Sequence, residues 1–190
     1  MLCFITSFFL MFSQPAEPAA YYQLDYKSFY QLTEVNANVD WVKPNLPLLD
    51  AAIFHCTNEQ RALKGKKLFK YAEDLNKSAS YHSGSMVKYS FFSHTNNFEK
   101  PMKAFYERMK YFGASFNGCA ENIAYSEFDS GYTYLDIAKD FVQMWMDSEG
   151  HRQNLLCTAY LELGCGTCIK FTGTFYRVYA TQDFGGQRNK

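Results

Sequence analysis

From Leu48 onward the hydrophobic positions recur with a helical period. Leu48, Leu49, Ala52, Ile53, Cys56 and Leu63 fall on one face at spacings near three and four, which predicts a first helix. Ala72, Leu75, Ala79, His82 and Met86 form the stripe of a second helix over about 70–89. A third is expected to open at Pro101, a favoured first helical position. It carries Met102, Phe105, Met109 and Phe112 and stops at Gly113. A fourth covers about 134–148, with Leu135, Ala138, Phe141, Val142 and Trp145 inward. The period then changes. Residues 163–171 and 174–184 read as two strands around Thr172-Gly173, a hairpin turn signal. A shorter extended piece is expected in Asn122-Ile123-Ala124-Tyr125. Helices come first and sheet last, and a hairpin joins the strands in place of a crossover helix. The pattern predicts an α+β domain whose helices cover a mainly antiparallel sheet.

The upstream chain differs. Met1 to Phe12 is almost wholly apolar, with no charge before Glu17 and no base before Lys27. A run of that length is too short for a spanning helix, which needs about 20 residues. It suits the apolar region of a secretory signal, and small residues (Ser13, Ala16, Ala19, Ala20) follow it. Residues 1–20 are therefore expected to be a signal peptide; a buried N-terminal segment is the other reading. Residues 21–45 show no clean period and read as an N-terminal extension that packs through its aromatics. Pro44 and Pro47 mark the start of the ordered domain, 46–190. No later stretch is apolar enough for a transmembrane segment in the mature chain.

Composition narrows the function classes. Of 190 residues, 47% are hydrophobic, with 15 Tyr and 18 Phe, enough to bury a core and exclude global disorder. Lys+Arg and Asp+Glu are equal at 19 each. Wrapping nucleic acid calls for a basic excess, so no nucleic-acid partner is expected. Six cysteines are present, and Cys3 leaves with the signal. One or two structural disulfides are expected from the other five. Cys165 and Cys168 form a CxxC without the second pair a structural zinc needs. It lies inside a strand, where residues three apart face opposite ways.

Two of the four histidines, His55 and His82, sit on or beside apolar helix faces and read as satisfied core residues. His94 ends Ser90-Phe91-Phe92-Ser93-His94, in a loop after the second helix. His151 follows Glu149-Gly150, in a loop after the fourth. Loop histidines near aromatic clusters are candidates for function. Glu121 lies in Cys119-Ala120-Glu121-Asn122-Ile123-Ala124. A carboxylate beside two neutral imidazoles makes a divalent-metal site or an acid/base pair. The alternative is a structural carboxylate that ties a loop. Ser93 or Ser148 with a histidine and Glu121 tempts a triad, but no nucleophile elbow or oxyanion-hole signal accompanies them. Cys119 reads as a disulfide partner before a nucleophile.

Several segments, in order, resemble the CAP superfamily (the SCP or sperm-coating-protein-like domain of cysteine-rich secretory proteins, antigen 5 and pathogenesis-related protein 1). They are Thr57-Asn58-Glu59-Gln60-Arg61, Phe91-Phe92-Ser93-His94, Glu121-Asn122-Ile123-Ala124, the stretch from Trp145 to Leu156, and Gly164-Cys165-Gly166 with Tyr179 to Gly185. The layout is most similar to the bacterial secreted branch, over about 48–186. The resemblance implies an α-β-α sandwich with an open cleft, where two His and two Glu meet in many members and some bind Zn or another divalent ion. By motif His94, Glu121 and His151 carry over. The fourth position is Ser148 here, with Glu149 one residue on. His94 and His151 are thus the expected metal ligands, and Glu121, Ser148 and Glu149 complete the cleft. Asn58, Arg61, Asn122 and Arg152 are expected to be structural.

The expected function is a secreted binding module, extracellular, periplasmic or in the cell envelope. Its cleft takes a small or lipid-like ligand or a cell-surface partner, with zinc or another divalent ion as a possible cofactor. A metal-dependent peptide or ester hydrolase is the first alternative. A structural envelope or matrix protein with a vestigial cleft is the second.

Overall fold

The computed structural model describes residues 18–189. Most of the expected signal peptide, with Cys3, lies outside the described residues. The elements run α1 (Pro18–Tyr21), α2 (Tyr26–Phe29), α3 (Leu46–Leu63), β1 (Lys70–Tyr71), α4 (Glu73–Tyr89), α5 (Phe105–Tyr111) and β2 (Phe116–Phe128). They continue with α6 (Tyr134–Asp147), α7 (Glu149–Leu156), β3 (Glu162–Phe171) and β4 (Tyr176–Arg188). The strands form one sheet in the order β1-β3-β4-β2. β4 pairs antiparallel with both β2 and β3, and short β1 pairs parallel with β3. This is the α+β fold that the sequence predicts.

Alternation along β4 separates two cores. Val178, Ala180 and Phe184 join the main core with α3 and α6. Tyr179 faces the other way, toward Met86 of α4 and Ile123 of β2. On that face Ser83 Oγ lies 2.8 Å from Thr181 Oγ1. The helix α4 lies hard against β3. A Cβ at Gly164 or Gly166 would stand 2.0 Å from the backbone nitrogen of Asn76 or Ser80. Only glycine permits that approach. The chain before α3 belongs to the main core through Tyr21, Phe29, Val35 and Val39.

Several elements depart from the sequence pattern. Lys70 and Tyr71 do not open the second helix, because they pair with Glu162 and Leu163. The third helix begins at Phe105, not Pro101. Glu107 accepts the Ala104 N–H at 2.8 Å and so sets the start. The short extended piece is a strand of 13 residues, paired with β4 from Phe116↔Arg188 to Phe128↔Tyr176. His151 does not sit in a loop but within α7. Among the described residues the expected disulfides are not formed: Cys56, Cys119, Cys157, Cys165 and Cys168 are all free there. Cys56 and Cys165 are core residues of α3 and β3. Burial pushes the Cys56 thiol up to about 12 and Cys165 well above its ordinary value, which keeps both protonated. Cys168 is separated from Cys165 by the alternation of β3.

Both core histidines are buried, at 2% and 0% exposure. His55 Nε2 lies 2.9 Å from the Tyr21 carbonyl, and its ring stacks on Phe29 at 4.2 Å. Burial depresses His55 and His82 to about 4. The unfolded chain binds these protons at about 6.5. Their stabilisation is therefore complete above pH 6.5 and falls as pH drops toward 4, by on the order of 3 kcal/mol for each. Urea midpoints should decline across that window, and H55Q should flatten the decline; an unchanged slope in H55Q would contradict the assignment. G166A should lower the midpoint by about 1–3 kcal/mol equivalent or more, because the α4 backbone must move.

Candidate ligand cleft

The site is organised by the position of β2 at one edge of the sheet. Successive side chains of an edge strand serve the two helix layers in turn. Glu121 meets His82 of α4, Arg108 of α5 and His94 of the loop between them. Asn122, the next residue, meets Gln182 of β4 and Asn154 of α7.

The Glu121 side chain is fully buried and fully engaged. Its Oε1 accepts from His94 Nδ1 at 2.8 Å and its Oε2 accepts from Arg108 Nη2 at 2.5 Å. His82 Nε2 stands 3.9 Å from Oε1. Arg108, 0% exposed, also donates to the carbonyls of His94 at 3.1 Å and Lys103 at 3.0 Å. One guanidinium thus ties the His94 loop to the sheet. Burial pulls the Glu121 pKa up, but the His94 hydrogen bond, the attraction to His82 in its protonated form and the Arg108 charge outweigh it, and the net direction is down. Asp183 lies opposite in register, with both carboxylate oxygens buried and without a hydrogen bond of good geometry among the described residues. Burial and then the Glu121 charge push it well above its ordinary value.

His94 is half exposed, and its contact through Nδ1 leaves Nε2 to solvent or ligand. His151 lies close enough for the His94 charge to act on it. Burial first and that charge second lower its pKa, so it is a neutral imidazole near pH 7. The Asn122 amide donates to the His151 carbonyl at 3.2 Å and fixes this turn of α7 against β2. Beside His151 opens a pocket of about 250 Å³. Its walls include Ile123, Ala124, Tyr125, Met144 and Trp145, with Phe92 and Ser148 also lining it. Phe92, Tyr125 and Met144 are 40–45% exposed, a concentration of apolar surface at the site.

The other expected residues fall into two groups. Glu149 is exposed in the first turn of α7 and is not brought to Glu121. Asn58 holds the backbone of Phe69 through both its amide groups. Arg61 donates to the carbonyls of Lys67, Leu155 and Cys157 and lies over the Phe69 ring at 3.7 Å. Arg152 donates to the Met146 carbonyl. These contacts hold chain segments together. Sequence reasoning missed Arg108 and Asp183 and assigned His82 to the core alone. The available signal was an arginine next to Met109, one helical turn from Phe105, on an otherwise apolar face.

The residues do not fit a resident catalytic metal. Both Glu121 oxygens are taken, so the two expected ligands, His94 and His151, have no free carboxylate from Glu121 beside them. Catalytic zinc sites use three protein ligands. Among the described residues no group of three or more His, Cys, Asp or Glu is placed to hold a metal ion.

Comparison with known proteins places this geometry. The profile of the Cysteine-rich secretory protein family matches residues 54–184. The uncharacterized protein YkwD of Bacillus subtilis is 31% identical over 115 residues, covering 60% of this chain and 40% of that relative. The chain spans less than half the length of the curated relatives it matches. An extracellular protein containing an SCP domain from Bacillus anthracis superposes with a TM-score of 0.58 at 27% identity, over 75% of this chain and 41% of that one. An outer surface protein of Borrelia burgdorferi does so with a TM-score of 0.55 at 19% identity, over 72% and 90%. The latter shows likeness of fold alone.

R108M should destabilise by about 3–5 kcal/mol, because it leaves Glu121 charged and buried. R108M/E121L should recover much of that loss in urea melts. A double variant no more stable than R108M would show that the charge is not the cost.

Proposed function

The chain belongs to the cysteine-rich secretory protein family, and from that membership and the apolar pocket beside His151 we propose a secreted binding module. Its cleft takes a ligand with an apolar body and a polar head. The body enters between Tyr125, Met144 and Trp145, and the head meets His94 Nε2 and His151. The pocket carries this reading: it is apolar, it is partly open, and His151, which lies within reach of the His94 charge, lines it. At about 250 Å³ it holds part of a lipid-like ligand, not all of one. The extracellular and surface proteins that share the fold support secretion.

Hydrolysis finds less support in the donor set. Glu121 is locked between Arg108 and His94 and is not free to hold a metal or move a proton. A divalent ion held by two imidazoles alone would be an accessory to binding. A purely structural role differs from binding in one respect: it predicts an empty cleft in solution.

The test is a titration of the full chain with a dansylated medium-chain fatty acid, read by fluorescence. Saturable binding is expected, weakened at least ~10-fold (~1.4 kcal/mol) by Y125A/M144A and reduced by H94A/H151A. Equal affinity in Y125A/M144A, or no saturable binding to the intact protein, would overturn the reading.

A further inference from the structure

Away from the cleft, Asp50 is a buried carboxylate that joins α3 to β3 and α4 without a cation beside it among the described residues. It lies in α3 at 5% exposure and lines a separate pocket of about 230 Å³, with Tyr22, Pro47, Tyr71, Ser80 and Thr167. Its Oδ1 accepts from Thr167 Oγ1 at 2.6 Å. Its Oδ2 has no close donor. Asn76 Nδ2 and Ser80 Oγ both stand at 3.5 Å. One proton of the Asn76 amide goes to the Cys165 carbonyl at 2.5 Å, which leaves the other for the longer contact with Oδ2. Among the described residues no Lys, Arg or His pairs with Asp50. Buried carboxylates are ordinarily matched by a cation or by several short hydrogen bonds. This one is held closely by Thr167 alone, with Asn76 and Ser80 at long range, and a pocket opens beside it. Burial pushes its pKa up to about 7, and the hydrogen bonds from Thr167, Asn76 and Ser80 offset this only in part.

The lining indicates what would supply a positive charge there. Hydroxyls of Ser80 and Thr167 can accept from an N–H donor while Asp50 provides the charge. The Tyr22 phenol stays protonated through burial and the neighbouring Asp50 charge. Leu46 and Pro47 and the stacked rings of Tyr22 and Tyr71, 3.6 Å apart, offer apolar surface for a short stem. The volume is below that of pockets for whole drug-sized ligands and matches one side chain.

We propose that Asp50 and the hydroxyls around it form a subsite for a small organic cation, an alkylammonium or guanidinium group on a short aliphatic stem. The subsite stands independently of the cleft. The cation docks against Oδ2, takes Ser80 Oγ as a second acceptor, and lays its stem along Pro47 and the tyrosine rings.

The experiment is an amide NMR titration of the full chain with n-butylammonium chloride, with n-butanol as the neutral isostere. The Asn76 side-chain amide and the Ser80 and Thr167 amides report on the pocket. Saturable shifts are expected with the ammonium, at least ~10-fold weaker with the alcohol and at least ~10-fold weaker in D50N. N-acetyl-lysine methylamide, in a parallel arm, distinguishes a peptide side chain from a free amine. S80L fills the pocket but keeps the charge, and should abolish binding even where D50N fails to fold. Equal response to n-butanol, undiminished affinity in folded D50N or in S80L, or no saturation in the intact protein would overturn the proposal.

Discussion

The arrangement of the cleft depends on one buried ion pair. Glu121 and Arg108 are both shut off from solvent and face one another across a short charge-assisted hydrogen bond. Such a pair need not add net stability, since both ions lose their hydration. Its consequence here is geometric. Further protons on Nη1 and Nη2 hold the Lys103 and His94 carbonyls, and the second carboxylate oxygen holds the His94 ring. The loop after α4 therefore has one place to sit. Asp183 sits opposite, and burial and the Glu121 charge push its pKa well above the ordinary carboxylate value.

An edge strand makes the cleft possible. In the middle of a sheet, the two helix layers are kept apart by strands on both sides. At β2 they are not, so the His94 loop from one layer and α7 from the other reach the same rim. Glu121 anchors the first and Asn122 the second, adjacent residues with opposite directions. The apolar pocket opens along the same strand, at Ile123 to Tyr125. Polar anchoring and apolar binding surface thus share one short segment of chain.

Legibility in the sequence followed the kind of interaction. The helices α3 and α6 were readable because their stripes are long and apolar. The β3–β4 hairpin was readable through its alternation and Gly173, whose φ of +97° suits glycine. The strand β2 was read as too short because Glu121 and Asn122 are polar yet buried, which breaks the alternation. The helix α7 carries one buried residue, Leu155, and so has no stripe to detect. His94, Glu121 and His151 stood out by motif. Arg108 and Asp183 did not, because their roles arise from pairing across elements far apart in sequence. Asp50 was invisible for the same reason: its partners lie in α4 and β3.

The central claim is that one ligand meets both histidines at the β2 rim. The imidazole Cε1 proton resonances of His94 and His151, followed by NMR while decanoic acid is added to the full chain, test it most directly. The account predicts that both move together along one saturable curve, with Tyr125 and Trp145 ring signals moving in step. Movement of neither histidine, or of one along a curve unrelated to the aromatic rings, would contradict it.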